Sequence, residues 1–110
     1  MNGWVQEFLP EALDDMRRLD HATVVRVQKA IDRVAENPLP QNEGGYGKPL
    51  GNKQGANLTG LLKVKLRSDG IRIVYKLERV RETMKVVIVG VRTDMEVYRE
   101  ALRRRQRHGL

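Results

Sequence analysis

The sequence contains no cysteine, and this absence excludes several chemistries at once. A chain without thiols forms no disulfide, offers no thiolate to a metal ion and has no cysteine nucleophile. Such a composition is typical of a protein that works in a reducing compartment. We therefore expect a cytoplasmic protein.

Long hydrophobic runs are also missing. The longest apolar segment, Val86 to Val91, is far shorter than the roughly 20 residues that a membrane-spanning helix needs. The first residues, Met1 to Trp4, have neither the charged nor the apolar region of a signal peptide. We expect no membrane partner.

Acidic residues are fewer than basic residues. The 110 residues include 21 Lys and Arg against 14 Asp and Glu, which gives a formal net charge of +7. This excess favours a polyanionic partner, above all a nucleic acid.

Hydrophobic residues make up 40% of the chain and are spread along it, so we expect one globular domain over residues 1–110.

The N-terminal third predicts one strand followed by two helices. Residues 4–8 alternate in part, and Pro10 follows them as a proline in the first turn of a helix. Asp20 is a favourable N-cap for the second helix, which ends at Asn37-Pro38. The apolar residues that recur at helical spacing are Ala12, Leu13, Met16 and Leu19, then Val24, Val27, Ile31 and Val34.

A segment rich in Gly, Pro, Asn and Gln follows over about residues 38–60 and predicts a long irregular loop. Its glycines suggest a phosphate cradle. However, Gly47-Lys48-Pro49 lacks the Ser or Thr that follows the lysine of a P-loop, and no helix comes next. A nucleotide-binding loop is therefore disfavoured, although long loops are often functional.

Residues 61–67 and 71–77 predict two strands around Ser68-Asp69-Gly70, because Asp-Gly is typical of a two-residue hairpin turn. The large apolar residues then share one face, and the other face carries the cations of both strands. The predicted cross-strand pairs are Ser68–Ile71, Leu66–Ile73, Val64–Tyr75 and Leu62–Leu77.

The C-terminal third predicts a strand and a helix. Residues 85–91 are apolar on both sides, as in a strand that is covered on both faces. Thr93 and Glu96 match a capping box, so a last helix begins there and runs into a basic tail at about 103–110. The order of elements predicts an α+β fold: an N-terminal strand and a helical hairpin pack on a mostly antiparallel four-stranded sheet, with a C-terminal helix.

Five side chains are expected to meet on the open face of this sheet. Like charges on adjacent strands repel, so the cations form either a solvated face or a binding face. No acid interrupts residues 61–67, and the cations alternate with a well-formed apolar face, which favours a binding face. The five residues are Lys63, Lys65, Arg72, Arg92 and Tyr98.

This set suits cleavage of RNA by its own 2′-hydroxyl, which needs a base, an acid and positive charge around the phosphate. Lys63 or Lys65 can act as the base in its neutral form, which neighbouring cations favour. Arg72 and Arg92 can grip phosphate oxygens. Tyr98 can bind the phosphate, share the proton transfers or stack on a base. The reaction needs neither a metal nor a cofactor, and we expect none.

Residues 62–75, LKVKLRSDGIRIVY, resemble the central hairpin of the RelE family of toxin endonucleases. VGVR at 89–92, followed by EVY at 96–98, is similar to the last strand of that family and the start of its C-terminal helix. The resemblance is close over about residues 58–104 and holds only in pattern over residues 4–50.

This resemblance implies the toxin of a type II toxin–antitoxin system. Such a toxin is a ribosome-dependent endoribonuclease that cuts mRNA in the ribosomal A site, leaves a 2′,3′-cyclic phosphate and is silenced by a cognate antitoxin. The implied roles are Lys65 as general base with Lys63 as its paired lysine, Arg72 as phosphate stabiliser, Arg92 as general acid and Tyr98 as the residue that orients the substrate. Further residues predicted to bind RNA, including ribosomal RNA, are Arg67, Lys76, Arg103 and Arg104.

Two other functions on the same fold stay open: a ParE-like toxin that inhibits gyrase by binding, and a non-catalytic RelE-fold protein that binds RNA or a partner. ParE-like members generally lack this set of lysines, arginines and tyrosine, which disfavours the first. A histidine-based ribonuclease is disfavoured because His21 and His108 share no pattern. A carboxylate metal site is disfavoured because the acids of the first helices lie near N-termini or face solvent.

Overall fold

The computed structural model describes residues 3–91 and 93–110. One strand is followed by two helices, six strands and a last helix, with a short 3₁₀ turn at Gln41–Glu43. The bounds are β1 Val5–Phe8, α1 Pro10–Arg17, α2 His21–Glu36, β2 Lys48–Pro49, β3 Asn52–Lys53, β4 Ala56–Asn57, β5 Leu61–Leu66, β6 Ile71–Glu78, β7 Thr83–Gly90 and α3 Asp94–His108.

A five-stranded sheet in the order β1-β7-β6-β5-β2 forms the centre of the fold. β1 runs parallel to β7, and the other neighbours are antiparallel. The predicted α+β architecture is confirmed. β2 adds a fifth strand to the predicted four, because Lys48 and Pro49 pair with Lys63 and Leu62 at the outer edge of β5.

The two N-terminal helices begin where their capping residues predict. Pro10 occupies the first turn of α1, and the Asp20 carboxylate accepts a hydrogen bond from the Thr23 amide at 2.8 Å. The buried stripe of α2, which includes Ile31, joins strand residues such as Ile73 in one hydrophobic core. The core thus covers most of the apolar residues that the helical spacing predicted, but Leu13 is 42% exposed, so its predicted place on the buried face is wrong.

The β5–β6 hairpin has a register that differs by two residues from the predicted one. Leu66 pairs with Ile71 instead of Ile73, so the predicted pair Ser68–Ile71 is wrong and the turn spans residues 67–70. Gly70 takes a left-handed φ of +65° at the end of this turn. Arg26 of α2 binds the Asp69 carboxylate at 2.8 Å and holds the turn against the helix. A shift of two residues preserves the face of every side chain, so the apolar pattern alone does not distinguish the two registers.

The segment 38–60 is more structured than the predicted irregular loop. It contains the 3₁₀ turn and the short strands β2, β3 and β4, and it buries Leu50 and Leu58 in the core. The Tyr75 hydroxyl donates a hydrogen bond to the Pro38 carbonyl at 2.8 Å, and burial raises the pKa of Tyr75. A Cβ on Gly47 would lie 2.2 Å from the same hydroxyl oxygen. The loop is therefore anchored closely to β6.

Helix α3 begins after Thr93, as predicted, but the capping box differs in detail. The Thr93 hydroxyl donates to the Glu96 carboxylate at 3.2 Å, and its side chain caps no backbone amide. The predicted basic tail is helical as far as His108. Within residues 3–91 and 93–110, no helix combines the length and the apolar character that crossing a membrane requires.

Candidate active site

Cross-strand pairing sets four cations side by side. Lys65 pairs with Arg72, and Lys63 lies between Lys48 on β2 and Val74 on β6. Residues that pair directly in an antiparallel sheet project from the same face. We call this surface, which consists of Lys48, Lys63, Lys65 and Arg72, the cation face. It brings together three of the five predicted site residues and adds Lys48.

Helix α3 packs against the cation face through Tyr98. The Lys63 ammonium donates a hydrogen bond to Tyr98 Oη at 2.7 Å and lies 5.4 Å from the centre of the ring. Tyr98 is only 4% exposed, so its ring is not open for stacking on a base. Of the three roles predicted for Tyr98, this geometry suits hydrogen bonding and proton transfer through the hydroxyl group.

Among the described residues, Asp94 and the Gly70 carbonyl hold Arg72 near the tip of the hairpin. Its Nε forms an ion pair with Asp94, and its Nη1 donates to the Gly70 carbonyl at 2.9 Å. Burial by itself would raise the pKa of Asp94, but the guanidinium of Arg72, with Lys63 and Lys65 nearby, lowers that pKa below its ordinary value. Asp94 is therefore ionised at neutral pH and places a negative charge among the cations.

Asp94 and Lys48 are the two groups of the site that sequence reasoning missed. Asp94 follows an N-cap, where an acid is expected to favour the helix dipole. Its spacing of four residues from Tyr98, however, indicates that both lie on one face of α3. For Lys48 the sequence offers no such sign, because only the pairing of β2 with β5 brings it beside Lys63.

Like Lys48, Lys65 is an exposed member of the cation face. Among the described residues it has no hydrogen bond or ion pair, so its ammonium is accessible to a ligand. Arg92, the fifth predicted site residue, lies outside the described residues. Within residues 3–91 and 93–110, no group of three His, Cys, Asp or Glu side chains is arranged to hold a metal ion.

A polar groove of about 400 Å³ lies beside the cation face, along the outer edge of β5. Lys48, Lys63 and Lys65 belong to both surfaces. The groove also contains Arg67, one of the residues predicted to bind RNA, and this side chain is exposed. The complete lining is Gln41, Tyr46, Lys48, Lys63, Val64, Lys65 and Arg67.

The structure places Lys76 and Arg103 away from this groove. Lys76 lies four residues beyond Arg72 on β6, about 13 Å along the strand, and the fully buried Val74 separates the two. Arg103 is exposed on α3 and forms an ion pair with Glu100 at 2.9 Å. Neither residue contributes to the cation face.

Arg104, which was predicted to bind RNA, instead links α3 to α1 and β7. It is 6% exposed, and its guanidinium donates to Asp15 at 2.6 Å, to Glu100 at 2.9 Å and to the Val87 carbonyl at 3.0 Å. Burial alone would lower the pKa of Arg104, but Asp15 and Glu100 raise it. Protein acceptors therefore occupy the guanidinium of Arg104, and this residue lies apart from the cation face.

Comparison with known proteins identifies the family. The chain is 31% identical to the mRNA interferase toxin RelE of Escherichia coli K12 over 98 residues, which cover 89% of this chain and 93% of that protein. A mutant of the E. coli toxin RelE in the free state matches with a TM-score of 0.69 and 27% identity, over 93% of this chain and 97% of that chain. A chain of the intact E. coli RelBE toxin–antitoxin complex matches with a TM-score of 0.61 and 26% identity, over 82% of this chain and 98% of that chain. No protein-family model matches the sequence. In sequence and in fold, the chain belongs to the RelE family of toxins.

Proposed function

We propose that this protein is the toxin of a type II toxin–antitoxin system and that it cuts mRNA in the ribosomal A site. The observation that carries the proposal is the register of β2, β5 and β6, which sets the cation face against Tyr98 of α3. The similarity to a toxin named as an mRNA interferase supports the activity. The similarity to a chain of a toxin–antitoxin complex supports a cognate antitoxin as a second partner.

In the proposed reaction, the 2′-oxygen of one nucleotide attacks the adjacent phosphorus, and the bond from phosphorus to the 5′-oxygen breaks. A base takes the proton of the 2′-hydroxyl, an acid gives a proton to the 5′-oxygen, and the products are a 2′,3′-cyclic phosphate and a 5′-hydroxyl. Lys65 acts as the base, because the ammonium of Lys63 already donates to Tyr98. Arg92 acts as the acid, as its place in the family pattern implies.

The remaining groups stabilise and orient the phosphate. Lys63 and Arg72 place fixed positive charge where the phosphorane-like transition state gains negative charge. Each is positioned in advance, Lys63 by Tyr98 and Arg72 by Asp94 and the Gly70 carbonyl. Fixed charges of this kind need no reorganisation during the reaction, which is the main source of their catalytic effect.

Cations outside the reaction centre are assigned to binding. We place Arg67 on the mRNA, because it lies in the groove that continues the cation face. Lys76 and Arg103 lie apart from the groove and are assigned to phosphates of ribosomal RNA. A ribosomal substrate would require the protein to act in the cytoplasm.

The test is cleavage of a defined mRNA on programmed ribosomes, with analysis of the product ends. The wild type should leave a 2′,3′-cyclic phosphate, and a chelator of divalent ions should not slow the chemical step once the ribosomal complex has formed. Tyr98→Phe and Arg92→Ala should both cut more slowly. Lys29→Ala, which removes an exposed cation from α2, should cut like the wild type.

Three results would contradict the proposal. Equal cutting by the wild type, Tyr98→Phe and Arg92→Ala would refute the site assignment. Inhibition of gyrase supercoiling without mRNA cleavage would favour the ParE-like alternative. Normal growth of cells that express the chain without an antitoxin would favour a non-catalytic binding protein.

A further inference from the structure

The groove beside the cation face contains an exposed aromatic side chain, Tyr46, in the loop between α2 and β2. Tyr46 is 43% exposed, whereas Tyr98 is 4% exposed and Tyr75 is fully buried. Its backbone amide donates to the Asn37 carbonyl at 3.1 Å, and the guanidinium of Arg33 lies 5.8 Å from the centre of its ring. The ring is therefore held in place and remains accessible to a flat ligand.

The other groups that line the groove are suited to a polyanion. Lys48, Lys63, Lys65 and Arg67 bring four positive charges, and Gln41 adds an amide group. None of the described residues in this lining is acidic. Aromatic rings combined with a cationic groove are the usual means of binding single-stranded nucleic acid, in which the bases stack on the rings and the phosphates contact the cations.

The groove is also continuous with the proposed reaction centre. Lys63 and Lys65 lie on the cation face and in the groove lining. The pairing of β2 with β5 ends at Lys63, so the following residues of β5 form the edge of the groove. A strand of RNA whose phosphate lies on the cation face can therefore extend directly into the groove.

We propose that this groove binds the nucleotide next to the scissile phosphate, with its base stacked on Tyr46 and the flanking phosphates held by Lys48 and Arg67. The inference rests on the proposed cutting of RNA at the cation face. It gives loop 38–60 a function, because the loop supplies both Tyr46 and Lys48. It also separates stacking from catalysis, since the buried ring of Tyr98 acts through its hydroxyl group.

The experiment measures the affinity of the purified protein for a short single-stranded RNA with 2′-O-methyl groups, which cannot be cut, by fluorescence anisotropy. Tyr46→Ala should weaken binding about tenfold, because stacking of one base contributes roughly 1–3 kcal/mol. Tyr46→Phe keeps the ring and should bind like the wild type. Lys48→Ala should weaken binding and reduce the slope of log affinity against log salt by about 0.7, as expected for one lost phosphate contact.

The matched control is Lys29→Ala, which removes an exposed lysine from α2 and should leave the affinity unchanged. Thermal unfolding of each variant shows whether it folds, and Tyr46→Leu replaces Tyr46→Ala if the latter does not. Equal affinity of the wild type and the variant without the ring would overturn the inference, and so would the absence of binding by both. An equal loss of affinity for a duplex RNA would also overturn it, because a duplex has no open base to stack.

Cleavage on programmed ribosomes is a separate measurement, so the two hypotheses can fail independently. A protein that binds RNA through Tyr46 but does not cut it would contradict the proposed function alone. A protein that cuts mRNA and binds RNA equally well with and without the Tyr46 ring would contradict this inference alone.

Discussion

Two basic regions of this molecule have similar compositions but different surroundings. At the cation face, Asp94 forms an ion pair with Arg72. The lysines Lys48, Lys63 and Lys65 have no ion pair among the described residues. On the second half of α3, three arginines pair with carboxylates of α1 and of α3 itself. We call this second region the α3 arginine cluster; it consists of Arg103, Arg104 and Arg107.

The comparison shows that the number of cations alone does not identify a phosphate site, because an arginine that is buried against carboxylates is already compensated. A buried guanidinium such as that of Arg104 requires compensating charge, and Asp15 and Glu100 provide it. The lysines of the cation face have no such carboxylate partner among the described residues, and like charges on neighbouring strands repel one another. A bound polyanion would relieve this repulsion and stabilise the folded state.

Among changes to the residues of the cation face, removal of the proposed base, Lys65, should lower the cleavage rate most. Lys65→Ala is expected to lower the single-turnover rate of cleavage on ribosomes by about 10²–10⁴-fold, the usual contribution of a general base. The unfolding temperature should not change, because Lys65 is exposed. Lys29→Ala is the control, and a Lys65→Ala rate close to that of the wild type would remove Lys65 from the chemistry.

In the α3 arginine cluster, removal of the buried arginine should lower the stability of the fold and leave RNA binding unchanged. Arg104→Met leaves the carboxylate of Asp15, whose side chain is 10% exposed, without its charged partner and is expected to cost about 3–5 kcal/mol of unfolding free energy, measured by urea denaturation. The double variant Asp15→Asn/Arg104→Met should recover part of this loss, because Asn can still accept the hydrogen bond from the Val89 amide. Weaker RNA binding at undiminished stability would place Arg104 on the RNA-binding surface after all.

Removing the negative charge of Asp94, the acid beside the cation face, should have a smaller effect. RNA binding should become tighter instead of weaker. Asp94→Asn removes a negative charge beside Arg72 and is expected to tighten RNA binding about fivefold at low salt, since a charge several Å away contributes about 1 kcal/mol in a water-like dielectric. The gain should shrink at high salt. Glu96→Gln, which removes an exposed acid from the same turn of α3, is the control. Weaker binding would mean that the main effect of Asp94 is to hold Arg72 in position.

The smallest effect, on the pH dependence of stability, is expected from Glu11, the acid that binds the C-terminal end of α3. Hydrogen bonds from His108 and Arg107 lower the pKa of Glu11 from 4.5 to about 2. The folded state therefore binds this proton less tightly than the unfolded state, and the stabilisation is present above about pH 4.5 and is lost as the pH falls towards about 2. Glu11→Gln should reduce the change in unfolding free energy over this pH range by at most about 1 kcal/mol, because Glu11 and its two partners lie near the surface. Urea denaturation at several acid pH values checks this, and an unchanged pH dependence would contradict it.

The sequence by itself determined the three helices, the four longer strands and the faces of those strands, but not the short strands β2, β3 and β4. The helical spacing and the Asp20 cap located α2, and the alternation along β5 and β6 placed Lys63, Lys65 and Arg72 on one face. That conclusion survived the error in register, because a shift of two residues moves no side chain to the other face. Local patterns are sufficient here because strand alternation depends only on the chain itself.

Only the tertiary structure decided which partner each charge has. Arg26 of α2 binds Asp69 in the hairpin turn, 43 residues away in the chain, and Lys48 reaches the site only because β2 pairs with β5. Arg104 finds its carboxylate in Asp15, which is 89 residues away in the chain. The physical reason is that electrostatic environment depends on contacts between distant segments, and these contacts separate an arginine that holds the fold together from a lysine that is available to a phosphate.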